Sequence, residues 1–120
     1  MAKILVAEDD HAVREFVCRA LEQQGHVVVS TSDGAEAAAA LTPQDEQFDL
    51  LLADIKMPVM DGIALALCAA KEQPDMPILL MTGYADQRER AYGLDQLIDD
   101  VITKPFTLEE IVAKVEKALA

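Results

Sequence analysis

The sequence predicts a doubly wound α/β fold: a five-stranded parallel sheet with helices on both faces. Three observations carry that expectation. Short apolar runs alternate with helix-period segments from one end to the other, as in successive βα units. The runs are continuously apolar instead of alternating, which is how strands covered on both faces read. The 120 residues suit one domain, and right-handed crossovers leave few other ways to join parallel strands. We expect the strand order 2-1-3-4-5 and one domain over residues 1–120.

The first strand is the KILVA run at residues 3–7, stopping at Glu8-Asp9-Asp10. Val13, Phe16, Val17, Ala20 and Leu21 then recur at the spacing of a one-faced helix, which Gly25 closes. Residues 27–29, three valines, form the second strand. Asp33 and Glu36 open an alanine-rich helix that Pro43 ends. The third strand is 50–53, followed by a loop over 55–62 in which Asp61-Gly62 reads as turn chemistry. A small-residue helix runs from about 64 to 71, with Pro74 and Pro77 bounding the connection after it. The fourth strand is 78–81, a short helix follows at 88–92, and the fifth strand is 101–103. The last helix has the clearest signals: Thr107 and Glu110 in a capping box, and Phe106 placed to staple onto Ile111. Leu108, Ile111, Val112, Val115 and Leu119 form its inner stripe.

Composition excludes several functions. Ten basic against 22 acidic residues give a net charge of −12, so neither nucleic acid nor an anionic membrane surface is an expected direct partner. No segment approaches the roughly 20 apolar residues of a membrane span, and the first residues do not read as a secretory signal. Hydrophobic residues make up 52% of the chain, enough to argue against disorder. Cys18 and Cys68 lack disulfide or metal spacing and read as buried thiols, which points to the cytoplasm. His11 and His26 have no ligand partners at useful spacing and are expected in solvent, His26 at an exposed strand start.

In such a sheet, ligands bind beyond the carboxyl ends of the strands. Those ends carry Glu8-Asp9-Asp10, Asp54, Thr82 and Lys104, and the expected strand order converges them on one pocket. Two like charges about 4 Å apart cost on the order of 4 kcal/mol at an effective dielectric near 20. Clustered acids therefore take up protons or recruit a cation, and an all-oxygen set suits Mg²⁺. The competing reading is that acids at strand ends are helix caps, and Asp10 is expected to be one.

ILVAEDD near the start, DIKMPVMDG in the middle, MTG after the fourth strand and TKPF near the end resemble the receiver domain of bacterial two-component response regulators, the CheY-like family. The resemblance spans essentially the whole chain. It implies Asp54 as phosphoacceptor, forming an aspartyl phosphate, with Thr82 and Lys104 contacting the phosphoryl group. It further implies a Mg²⁺ site formed by Glu8, Asp9, Asp54 and the backbone carbonyl of Lys56, and a cis Lys104-Pro105 bond. Gly83 would leave the phosphoryl group room. Val101 stands where many receivers have the aromatic of their rotamer switch, with Tyr84 or Tyr92 as candidate substitutes.

The implied function is a stand-alone response regulator, a phosphoacceptor and not an enzyme in the usual sense. Its phosphodonor would be a histidine kinase or a histidine phosphotransfer protein, and its output a phosphorylation-dependent protein contact. Among stand-alone receivers the chain is similar to the CpdR-type adaptors of ClpXP proteolysis, which suggests that protease as the downstream target. A monomer or weak dimer is expected. Two alternatives stand beside this: a phosphorylation-independent interaction module, and a haloacid-dehalogenase-like phosphohydrolase. The second would need another Asp two positions after Asp54, where Lys56 stands.

Overall fold

In the computed structural model, residues 2–42, 47–83 and 97–120 are described. Five strands lie in one sheet: β1 (Lys3–Ala7), β2 (Val27–Thr31), β3 (Leu50–Asp54), β4 (Ile78–Thr82) and β5 (Asp100–Thr103). Their order is β2-β1-β3-β4-β5 and every pairing is parallel, as the sequence predicts. Four helices are described: α1 (His11–Gln23), α2 (Gly34–Leu41), α3 (Gly62–Glu72) and α4 (Leu108–Leu119).

Successive strand side chains point to opposite faces, so each strand feeds two cores. Leu5, Leu51, Ala53, Leu80 and Val101 pack with Ala37 and Leu41 of α2 and Leu65, Ala66 and Ala69 of α3. Ile4, Val6, Leu52, Leu79 and Ile102 pack with Val17, Ala20 and Leu21 of α1 and Ile111 and Val115 of α4. β3 and β4 are buried along their whole length, which is why they read as unbroken apolar runs.

The helix caps follow the sequence signals. Asp10 Oδ1 accepts the Ala12 and Val13 N–H groups, Asp33 accepts from Glu36, and the Thr107–Glu110 capping box is present. Gly25 follows the α1 C-cap at φ +91°. Phe106 packs against the core cluster that contains Ile111.

Other expectations are corrected. α3 begins at Gly62, with Asp61 as its N-cap accepting from the Ala64 N–H, so Asp61-Gly62 starts a helix and is not merely a turn. A Cβ on Gly62 would stand 2.2 Å from the Asp54 carbonyl oxygen, so only glycine lets the helix begin against that strand end. A Cβ on Gly34 would meet the Met60 carbonyl oxygen at 2.0 Å, a second close approach, between α2 and the β3–α3 loop. Phe16 and Leu108, assigned to inner stripes, are 41% and 38% exposed, because the apolar stripe is wider than the surface the sheet covers. The two cysteines are half-buried, not buried.

His26 departs furthest from expectation. Its side chain is only 7% exposed; Nδ1 accepts the Ala2 N–H at 3.1 Å and Nε2 lies 3.1 Å from Glu116 Oε1. His11 is in solvent as expected, beside Glu15. The helix expected at 88–92, Pro43, Tyr84 and Tyr92 lie outside the described residues. Among the described residues no helix is long and apolar enough to cross a membrane.

Candidate functional site

Parallel pairing brings the carboxyl ends of four strands together. Ala7 of β1 pairs with Ala53 of β3, Asp54 with Met81 of β4, and Thr82 with Thr103 of β5. The residues at or just beyond those ends are Glu8, Asp54, Thr82 and Lys104. The chain continues from β1 through Glu8 and Asp9 into the α1 cap, so the acid run crosses the mouth of the site.

One carboxylate oxygen from each of Glu8, Asp9 and Asp54 lies within 4.8 Å of the others. Glu8 is fully buried and Asp54 is nearly so, while Asp9 is exposed. Lys104 Nζ stands between the two buried acids, donating to Glu8 Oε1 at 2.6 Å and to Asp54 Oδ2 at 3.0 Å. The Lys104 backbone N–H is held by the Thr82 carbonyl at 2.7 Å, and its bond to Pro105 is cis. Thr82 is fully buried at the end of β4.

The Lys104 ammonium is shared by two buried acids, and Asp9 adds a third carboxylate beside them, so the acids repel one another when all are ionised. Burial, the largest effect, pushes the Glu8 carboxyl up to about 7; its bonds from Lys104 and the Asp10 N–H pull the other way, and the Asp54 charge adds to the rise. Burial alone would lower the Lys104 ammonium, but the bonds to Glu8 and Asp54 outweigh it and its pKa is raised. Lys104 therefore stays charged while Glu8 resists ionisation.

A cavity of about 760 Å³ opens over these groups. Its floor is polar, with Glu8, Asp9, Asp54 and Lys104. Exposed Lys56 and Gly83 lie on its rim, and Phe16 and Phe106 form an apolar wall, their ring centroids 6.3 Å apart. The donor set fits a small hard cation: three carboxylates, oxygen only, one of them open to solvent so that bound water can complete an octahedron.

Residues 4–116 match the family model of the response regulator receiver domain. The chain belongs to the response regulator receiver family. Receivers are signalling proteins with an acidic Mg²⁺ pocket, and this one carries the Glu8, Asp9 and Asp54 cluster there. Membership implies a phosphodonor kinase and a downstream target.

The response regulator receiver protein CpdR of Brucella abortus (strain 2308) is 43% identical over 124 aligned residues, covering 99% of this chain and 98% of that protein. Response regulator MprA of Mycobacterium tuberculosis (strain ATCC 25177 / H37Ra) is 38% identical over 98% of this receiver, which spans 50% of that protein's length. Among solved structures, the CheY-like receiver of Methanospirillum hungatei JF-1 superposes with a TM-score of 0.90 at 31% identity, covering 99% of this chain and 94% of that one. TrrA from Thermotoga maritima, in complex with Mg(2+)-BeF, gives 0.87 at 29% identity, covering 99% and 100%. The resemblance seen in the sequence, to CheY-like receivers and to the CpdR type among them, is borne out.

Two features of the receiver's site escape sequence reasoning. The Phe16–Phe106 wall is hidden because helical periodicity alone assigns Phe16 to the core. Arg14 donates Nη1 to the Glu8 carbonyl at 2.7 Å, and no motif signals it.

Proposed function

We propose that this receiver is a free-standing phosphorylatable switch whose phosphoacceptor is Asp54. The observation that carries the reading is the Lys104 ammonium bonded to both Glu8 and Asp54, with three carboxylate oxygens within 4.8 Å. Glu8, Asp9, Asp54 and the Lys56 carbonyl would hold Mg²⁺, which when bound supplies charge neutralisation for phosphoryl transfer.

Asp54 Oδ attacks the phosphorus of a phosphohistidine on a histidine kinase or histidine phosphotransfer protein. The N–P bond breaks as the O–P bond forms, and the released imidazole takes a proton from solvent. Lys104 Nζ exchanges an acid partner for a phosphoryl oxygen, and the Thr82 hydroxyl donates to another. The added charge of about −1.5 to −2 draws the β4 end toward the phosphoryl group and changes the surface around β5. Val101, buried in β5, replaces the aromatic that other receivers rotate, so the signal passes through backbone and packing.

Support for free-standing action comes from the Brucella CpdR, nearly all of which this chain covers. By the same likeness we assign the downstream target to ClpXP-mediated proteolysis, in the cytoplasm, with the receiver a monomer or weak dimer. The test has two arms. With Mg²⁺ and acetyl phosphate, intact mass should show one added phosphoryl group on the wild type and none on Asp54→Ala; labelling that survives this substitution rejects the acceptor. In a pull-down with purified ClpX, binding should differ between the free and beryllofluoride-loaded receiver, and equal binding rejects the switch.

A further inference from the structure

Arg14 lies in the first turn of α1, in a chain where acids outnumber bases 22 to 10. Among the described residues its guanidinium nevertheless pairs with no carboxylate. Nη1 donates to the Glu8 backbone carbonyl at 2.7 Å in a half-buried setting, and Nη2 lies 3.2 Å from His11 Nδ1. A guanidinium that spends its shortest bond on a carbonyl is acting on the backbone.

That carbonyl shares one rigid peptide plane with the Asp9 N–H. Holding it fixes the directions in which the Glu8 and Asp9 side chains leave the chain. Two other bonds hold the same segment: the Glu8 N–H donates to the Thr31 carbonyl at 3.1 Å, and the Asp10 N–H to Glu8 Oε2 at 3.1 Å. Neither fixes the 8–9 peptide plane from the α1 side. Arg14 does, on the helix that Asp10 caps, so the acid run and the helix start form one closed unit.

We propose that Arg14 is a positioning residue for the acidic centre, acting through the Glu8–Asp9 peptide and not as a counter-charge. The proposal deepens the Mg²⁺ reading above and rests on it. Geometry and charge predict opposite signs. A positive group near the site repels a cation, so a charge role means that its removal tightens Mg²⁺ binding. A positioning role means that its removal loosens binding, since groups that orient metal ligands typically contribute about 10–100-fold in affinity.

The experiment follows backbone amide resonances of wild type, Arg14→Met, Arg14→Gln and Arg14→Lys, first without metal and then through a Mg²⁺ titration. We expect Arg14→Met to weaken Mg²⁺ at least about tenfold, with Gln and Lys, which keep a donor, recovering part of the loss. We also expect the Asp9 amide of metal-free Arg14→Met to shift and to exchange faster with solvent. Unchanged or tighter Mg²⁺ binding in the Met and Gln variants overturns the proposal, as does an Asp9 amide that does not respond. Should the wild type itself not bind Mg²⁺, the functional reading fails, and the metal-free amide measurement decides the role of Arg14. If the Met variant does not fold, the Gln and Lys variants give the same ordering against wild type.

Discussion

At Glu8, burial and charge pull against each other. The carboxyl is fully buried, and the one cation bonded to it among the described residues, Lys104, is shared with Asp54. With its pKa pushed up to about 7 from 4.5, the metal-free folded state keeps a proton that the unfolded chain has already lost. Between those values the folded state binds more protons, so stability falls as pH rises through the window and the full penalty is present above about pH 7. The shift corresponds to an energy on the order of 3 kcal/mol. Glu8→Gln, which keeps an acceptor for Lys104 without a charge, should therefore melt higher than wild type at pH 8 in a chelator. The two should converge near pH 4.5. Thermal unfolding across that range checks it; parallel curves for the two proteins would remove Glu8 as the source. A second residue carries strain: Val59 is exposed at φ +70°, in a tight turn closed by the Met60 N–H to the Pro58 carbonyl at 2.8 Å. A three-residue turn of this kind with a positive φ is strained for a residue that carries a Cβ, and most for a β-branched one, by roughly 1–3 kcal/mol. Val59→Gly, which removes the Cβ, should raise the denaturant midpoint by an equivalent of about 1 kcal/mol with an unchanged slope, the released strain exceeding the chain entropy that glycine adds.

At the scale of elements, the β3–α3 junction sets where β3 ends. The Gly62 N–H donates to the Ile55 carbonyl at 2.8 Å, and the missing side chain lets α3 start against Asp54. Gly34 gives α2 the same access to the Met60 backbone. An added Cβ at either position meets backbone, which must shift, whereas at Gly83 it meets nothing within 4 Å and at Gly25 it meets only a φ of +91°. Alanine scanning should thus order the losses as Gly62 and Gly34 largest, at about 3 kcal/mol or more given how rigidly interiors pack. Gly25 should follow at about 1 kcal/mol for its backbone conformation, and Gly83 should be near zero. A loss at Gly83 equal to that at Gly62 would contradict this account of the junction. Elements also show what sequence patterns convey. Both faces of β3 and β4 are covered, so continuous apolar runs announce them, and caps such as Asp10, Asp33 and Thr107 act within three residues and are read locally. The start of α3 is not local: Gly62 is helical because of where Asp54 lies, and DG by itself reads as a turn. His26 is buried by Ala2 and Glu116, 24 and 90 positions away, which no periodicity reports.

For the whole molecule, the candidate site was legible because parallel topology alone sends Glu8, Asp54, Thr82 and Lys104 to one edge of the sheet. What was not legible is how tightly the surroundings hold it: the Arg14 bond to a carbonyl and the aromatic wall depend on side-chain directions that spacing does not fix. The same global view separates two ways in which Mg²⁺ can act on a chain of net charge −12. Any salt screens that self-repulsion, and the gain follows ionic strength. A specific site stabilises by mass action, about 2.7 kcal/mol when free ion is 100 times its dissociation constant. For a domain of this size that raises the melting temperature by roughly 10 °C. Titrating MgCl₂ against NaCl of matched ionic strength should give that excess for wild type. Asp9→Asn, which removes the exposed acid of the cluster while leaving Glu8 and Lys104 paired, should lose most of the excess and keep the screening response. If both salts raise the two proteins equally at equal ionic strength, the acids at the sheet edge repel one another without forming a magnesium site.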